Sequence, residues 1–255
     1  MSQQVAAREF AAITTRGLLR PTNEDALAVA GALVIGEAVE PVEGLIAPGI
    51  AAIFIVSDGV GGHAHGARAS REVASGFLDD AQELLLDRGC TEAVLRANLR
   101  LNEVMMDEPE TVGMAATIAG MAMRDDAVCW FNVGDSRVYR KSALGLVQLS
   151  VDDTSSGAGS RSHVLLRSLG GQRSIAPVQP HVGGAAEAAG DRYLLCSDGL
   201  WGMLSNAVIE DILDRQSAAD EAVRMLLSAA LRAGGRDNIS IILVQPRASA
   251  GVNGR

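Results

Sequence analysis

Two short apolar runs in this chain end in the same tripeptide, Ser-Asp-Gly. Ala51-Ala52-Ile53-Phe54-Ile55-Val56 leads into Ser57-Asp58-Gly59, and Tyr193-Leu194-Leu195-Cys196 leads into Ser197-Asp198-Gly199. A continuous apolar run of this length, closed by a glycine, reads as a buried β-strand that turns sharply as it leaves its sheet. The pattern fixes a carboxylate at the tip of a rigid strand, twice. Two such strands side by side bring like charges together, which is costly unless a cation sits between them. A site for hard metal ions is the expectation.

The chain has 255 residues, 48% of them hydrophobic but only 3% aromatic. That length supports one domain with a sizeable core, built from Ala, Val, Leu and Ile. A net charge of −9 argues against nucleic acid, whose phosphates need clustered Lys and Arg. Residues 1–10 have no apolar stretch of the signal-peptide kind, and no run reaches the length of a membrane span. Cys90, Cys129 and Cys196 are far apart in the chain and odd in number. No zinc spacing or disulfide framework is expected, and the thiols read as small buried hydrophobes in a reducing cytoplasm.

The apolar patterning predicts strands at 8–16 and 26–35, a connecting loop at 36–49 and a strand at 50–57. Helices are expected at 66–88, with Val73, Phe77, Ala81 and Leu84 on one face, and at 91–106. Short turns then suggest antiparallel hairpins over 113–123, 127–134, 136–141 and 145–149. An exposed loop at 152–163, a strand at 192–197, helices at 205–215 and 218–233, and a last strand from Ile239 to Val244 complete the chain. The order suggests helices layered outside packed antiparallel sheets. A single domain over 8–246 is expected, with a frayed tail over 247–255.

Further acids share the style of the twin tripeptide. Glu24 and Asp25 lie in a turn between strands. Asp135 follows Phe131-Asn132-Val133-Gly134, and Asp237 lies in Gly234-Gly235-Arg236-Asp237-Asn238 before the last strand. One such acid is an ordinary solvated turn residue; together, beside glycine turns, they suggest an oxygen-only shell suited to Mg²⁺ or Mn²⁺. His63, His65, His163 and His181 have no Cys or acid at ligand spacing, so nothing supports a softer metal. His63 and His65 flank the first glycine turn, and His63 is a candidate substrate contact.

The segments Arg20-x-x-Asn23-Glu24-Asp25, Val56-Ser57-Asp58-Gly59-Val60-Gly61-Gly62, Gly66-x-x-Ala69-Ser70, Asn132-Val133-Gly134-Asp135-Ser136-Arg137, Leu195-Cys196-Ser197-Asp198-Gly199-Leu200 and Gly235-x-Asp237-Asn238-Ile239 occur in the order of the protein phosphatase 2C family. The chain resembles its bacterial metal-dependent serine/threonine phosphatases over about residues 8 to 245. The resemblance implies an α+β fold, a four-layer α-β-β-α sandwich with two mainly antiparallel sheets flanked by helices. By motif position it implies that Asp58 bridges two Mn²⁺ or Mg²⁺ ions and that Asp198 and Asp237 hold the first. The Gly59 carbonyl, and Glu24 directly or through water, would serve the second. Asp25 would orient a bound water, and Arg20 would clamp the substrate phosphate with its planar fork of donors. A hydroxide bridging the metals would attack phosphorus in line, with no phosphoenzyme.

Two positions depart from the family pattern. Val60 stands where animal members carry a histidine, which leaves protonation of the leaving group to water. Gly202 stands where a third-metal aspartate belongs, so Asp135 alone remains for that site. The flap beyond Asp152-Asp153-Thr154 is here a short Ser/Gly stretch. The resemblance also implies a cytoplasmic monomer acting on phosphoproteins, opposing a bacterial Ser/Thr kinase, with a kinase of a type VI secretion system as one candidate. Two rival classes stand beside this reading. Cys90 and Arg96 match a bare Cys-x5-Arg phosphatase spacing, but the residues between them build a helix rather than a phosphate cradle. A non-enzymatic binding module would have no physical need of a like-charged cluster.

Overall fold

The computed structural model describes residues 7–60, 65–155, 164–171 and 178–247. One sheet is six-stranded. It is made by β1 (Arg8–Thr15), β4 (Ala38–Ile46), β9 (Arg137–Ser142), β10 (Gly145–Gln148), β15 (Arg192–Cys196) and β16 (Ile239–Pro246), in the order β10-β9-β15-β16-β1-β4. The other is eight-stranded. It contains β2 (Asp25–Val29), β3 (Ala32–Ile35), β5 (Ala52–Val60), β6 (Ala115–Ala116), β7 (Ile118–Arg124), β8 (Ala127–Val133), β13 (Leu169–Gly170) and β14 (His181–Ala186). A short ribbon pairs β11 (Thr154–Ser155) with β12 (Val164–Leu165). Helices α1 (Gly66–Ser75) and α2 (Gly89–Asp107) belong to one outer layer, and α3 (Asp198–Trp201), α4 (Asn206–Arg215) and α5 (Ala219–Arg232) to the other.

Period-two alternation sorts the core into three slabs. Along β5, Ile53 and Ile55 face α1 and α2, while Phe54 and Val56 face the opposite sheet. Along β16, Ile241 and Leu243 face α5, and Ile242 and Val244 face the middle. The strands buried on both sides are therefore the continuous apolar runs seen in the sequence. The fold is the expected α-β-β-α sandwich, with antiparallel pairing throughout both large sheets.

Several elements differ from the sequence reading. The 36–49 loop contains a strand, β4, which pairs with β1 at the edge of its sheet. Pro41 and Gly44 break its apolar pattern, and an edge position tolerates both. The 66–88 helix stops at Ser75, with Gly76 as its cap. Phe77 and Leu84 still enter the core, but through turns and a 3₁₀ segment, Glu83–Leu85. The 26–35 strand is a hairpin turning at Ala30-Gly31. Strand β14 and the short α3 carried no sequence signal. Cys90 and Cys129, distant in sequence, are neighbours in space, with sulfurs 3.2 Å apart; all three cysteines are free thiols. Among the described residues, no helix is long and apolar enough to cross a membrane.

Candidate active site

Strand pairing gathers the acids at one end of the sandwich. Asp25 opens β2 directly opposite Asp58 of β5. Asp198 follows β15, whose neighbour β16 is preceded by Asp237 and Asn238. Asp135 occupies the turn between β8 and β9. Arg20, Glu24, Asp58, Asp135, Asp198 and Asp237 line one cleft of about 180 Å³, together with Gly59, Val60 and Thr117. A wider hollow of about 550 Å³ lies across Asp25, lined by Asn23, Arg68, Arg71 and Glu72. Two of its charges are committed elsewhere, Arg68 to Glu108 and Glu72 to Arg100, and the acids converge on the smaller cleft.

The electrostatics of that cleft are those of carboxylates crowded by like charges. Burial, then repulsion from Asp25, Asp198, Asp237 and Asp135, raises Asp58 well above the usual carboxylate range. Burial first, and Asp237 and Asp135 next, raise Asp198 to about 7. Burial also raises Asp25 to about 6, against hydrogen bonds from Ser240 and Ser197 that pull it down. Asp198 Oδ1 and Asp25 Oδ1 are buried with no hydrogen-bond partner among the described residues. These features fit hard cations, which take carboxylate and carbonyl oxygens. No three His, Cys, Asp or Glu side chains among the described residues stand close enough to hold an ion as they are. Arg20 instead occupies Asp237, with Nη2 2.6 Å from Oδ2.

The family model described as protein phosphatase 2C matches residues 45–233. The chain belongs to the protein phosphatase 2C family. It is 31% identical to the serine/threonine protein phosphatase PstP of Mycobacterium tuberculosis over 95% of its own length and 46% of that protein. It therefore spans about half the length of that curated relative. Identity to the serine/threonine phosphatase stp of Listeria welshimeri is 33%, over 76% of this chain and 84% of that one. The crystal structure of the PstP catalytic domain in complex with two manganese ions superposes with a TM-score of 0.74, at 28% identity, covering 94% of this chain and 98% of that one.

Several supports of this phosphatase 2C cleft escaped the sequence reading. Thr117 sits between the two-residue strand β6 and β7 and bonds to Asp58 through both backbones and its hydroxyl, which also meets Ser136 at 2.7 Å. Its only signal is a lone hydroxyl inside Ala115-Ala116-Thr117-Ile118-Ala119. Asn238 accepts from the Glu24 N–H at 2.8 Å and donates to the carbonyls of Arg16 and Thr22. It thereby ties the 16–24 turn to β16. The serines of the twin tripeptide are buried ties: Ser57 donates to the Thr117 carbonyl, and Ser197 to Asp25. Trp201 donates to the Asp135 carbonyl at 2.9 Å while Arg137 stacks on its ring. Asp153 accepts from the Gly134 N–H and pairs with Arg167 and His181, joining the Asp135 turn to the base of the flap.

A Cβ on Gly59 would overlap the carbonyls of Gly66 and Glu24, so the glycine is needed for α1 to approach the cleft. Gly199 is as confined, because a Cβ there would overlap the Asn238 carbonyl. Gly199→Ala is expected to cost about 1–3 kcal/mol of stability, as overpacking does. Thermal denaturation should show a melting temperature lower by several degrees; an unchanged value would mean that the Asp198 and Asp237 turns do not bear on each other. His63 lies outside the described residues. Cys90 is buried at the start of α2 and does not line the cleft, and Arg96 pairs with Asp80 and Glu83. Their Cys-x5-Arg spacing is a coincidence of helix sequence.

Proposed function

We propose that this chain is a metal-dependent serine/threonine protein phosphatase that hydrolyses phosphoserine and phosphothreonine in proteins. The observation that carries the reading is the half-buried pair Asp58 and Asp198, crowded by like charges, in one cleft with Arg20 and Asp237. Asp58 would be shared by two divalent cations. Asp198 and Asp237 would hold the first, and the Gly59 carbonyl and Glu24 the second. When bound, Mn²⁺ or Mg²⁺ ions activate the attacking water and neutralise charge on the phosphoryl group. Asp25 supports Asp58 from behind, in register and tied to Ser197. Arg20 would exchange its bond with Asp237 for the equatorial phosphate oxygens, which its fork fits in two places at once. Val60 offers no proton, so the leaving oxygen takes one from solvent. Asp135 would serve a third ion, and Gly202 contributes no carboxylate to it. The substrates would be phosphoproteins made by a bacterial Ser/Thr kinase, of which a type VI secretion kinase is one candidate. The chain would act as a cytoplasmic monomer built as one domain over residues 8–246.

Freshly purified protein should hydrolyse p-nitrophenyl phosphate with Mn²⁺, lose activity in EDTA and keep it after thiol alkylation. No turnover with added Mn²⁺ would leave the fold as a binding module and end the enzyme reading. Arg20→Ala should lower kcat/KM for a phosphothreonine peptide by about 10- to 100-fold, the worth of one charge-assisted contact. Most of that loss should fall on KM, and Arg20→Lys should recover only part of it. An unaffected KM would remove Arg20 from phosphate binding.

A further inference from the structure

We propose that Cys90 and Cys129 form a reversible modification site, a dithiol that closes to an intrachain disulfide when a peroxide reaches it. Cys90 is the second residue of α2, and Cys129 lies in the middle of β8 on the face that packs against the helix layer. Their sulfurs are 3.2 Å apart, and both also point at the Leu84 carbonyl, at 3.3 and 3.2 Å. That spacing lies inside the ordinary contact of two sulfurs and within about 1.2 Å of a covalent bond, so closure needs only a small movement of side chains. The residues between them include most of α2, a 3₁₀ turn at Pro109–Thr111, β6 and β7. The bridge would therefore pin the outer helix to the eight-stranded sheet across 39 positions of chain.

Access is one-sided. Cys90 is buried, whereas Cys129 is partly exposed, which makes Cys129 the sulfur that meets the oxidant. Its thiolate attacks one oxygen of hydrogen peroxide; the O–O bond breaks, one water leaves, and a sulfenic acid remains. The Cys90 thiol then attacks that sulfur, and its proton joins the displaced hydroxide, which leaves as the second water. Two thiols and one peroxide yield one disulfide and two waters, the sulfurs giving up two electrons. A dithiol reductant reverses the step. Cys196 is fully buried in the other half of the molecule, under α3 to α5, and is the internal control.

The test uses the full chain, treated with a small excess of hydrogen peroxide, then unfolded, alkylated and mapped by mass spectrometry. The expected product is 2 Da lighter before alkylation, carries label on Cys196 alone, and gives a linked peptide pair containing Cys90 and Cys129 that dithiothreitol separates. Its melting temperature should rise by about 5 °C or more, as cross-linking a long loop in a chain of this size does. That rise should vanish in Cys129→Ser and, independently, in Cys90→Ala. Label on all three cysteines after treatment, or sulfinic acid at Cys129 with Cys90 still free, would overturn the proposal. The peptide map on the unaltered protein decides the matter even if both variants fold poorly.

Discussion

Asp58→Asn is expected to lower Mn²⁺-dependent hydrolysis of p-nitrophenyl phosphate by about a thousandfold or more, and at the same time to raise the melting temperature of the metal-free protein. The two effects share one cause. Asp58 is half-buried, pairs in register with Asp25 and is repelled by Asp198, Asp237 and Asp135, all of one sign. Without cations that arrangement is a cost of folding, because a buried charge without a partner is destabilising. The amide keeps the shape and removes the charge. On the proposed reading the same carboxylate would be the ligand shared by the cations, and its loss would take away the transition-state stabilisation that metal coordination supplies, about 4 kcal/mol for three decades in rate. A variant that lost activity and stability together would point to a merely structural Asp58. One that kept its rate would remove it from the site.

The second large effect is a stability that depends on pH and metal together. Asp198 is raised from an ordinary 3.8 to about 7 and Asp25 to about 6, both chiefly by burial. A carboxyl whose folded value is raised contributes stability that is fully present below about 4 and is lost as pH rises through its folded value. The EDTA-treated protein should therefore melt at falling temperature as pH goes from about 5 to 7.5. Saturating Mn²⁺ should cancel that slope and add about 2.7 kcal/mol at a hundredfold excess over Kd, some 5–10 °C in a chain of this size. Glu187 is also raised to about 7 by burial, beside Arg8, and gives a slope of the same sign. It lies outside the cleft, so its share persists with Mn²⁺, and the metal-sensitive part isolates the acids. Identical pH slopes with and without Mn²⁺ would mean that these carboxyls hold no ion.

Much of this was legible because it is local. A short apolar run closed by Asp-Gly announces both a strand and the group at its tip, and Asp58 and Asp198 were read from that alone. Edge strands were harder. In β4, Pro41 and Gly44 interrupt the alternation, and in β14 the run His181-Val182-Gly183-Gly184-Ala185-Ala186 has too little side chain to declare itself. Both are strands because β1 and β8 supply partners. The residues that brace the cleft were the least visible. Thr117 and Asn238 matter through bonds to Asp58 and Glu24, positions 59 and 214 residues away. The Arg20–Asp237 pair spans 217 positions, and the Cys90–Cys129 pair is likewise a product of folding. Six motifs in order named the family, but pairings between motifs needed the fold.

The acids of the cleft come from both sheets. Asp58 lies near the end of a strand of the larger one, while Asp198 and Asp237 flank strands of the smaller. What separates the two groups is the thickness of the middle slab, set by Phe10, Phe54, Tyr193 and their neighbours. The distance across the mouth is thus inherited from the volume of side chains deep in the interior. On the proposed reading, such a fold could retune its grip on cations by resizing a buried residue far from the mouth, leaving every proposed ligand in place. Sequence drift in the interior would then become drift in ion affinity.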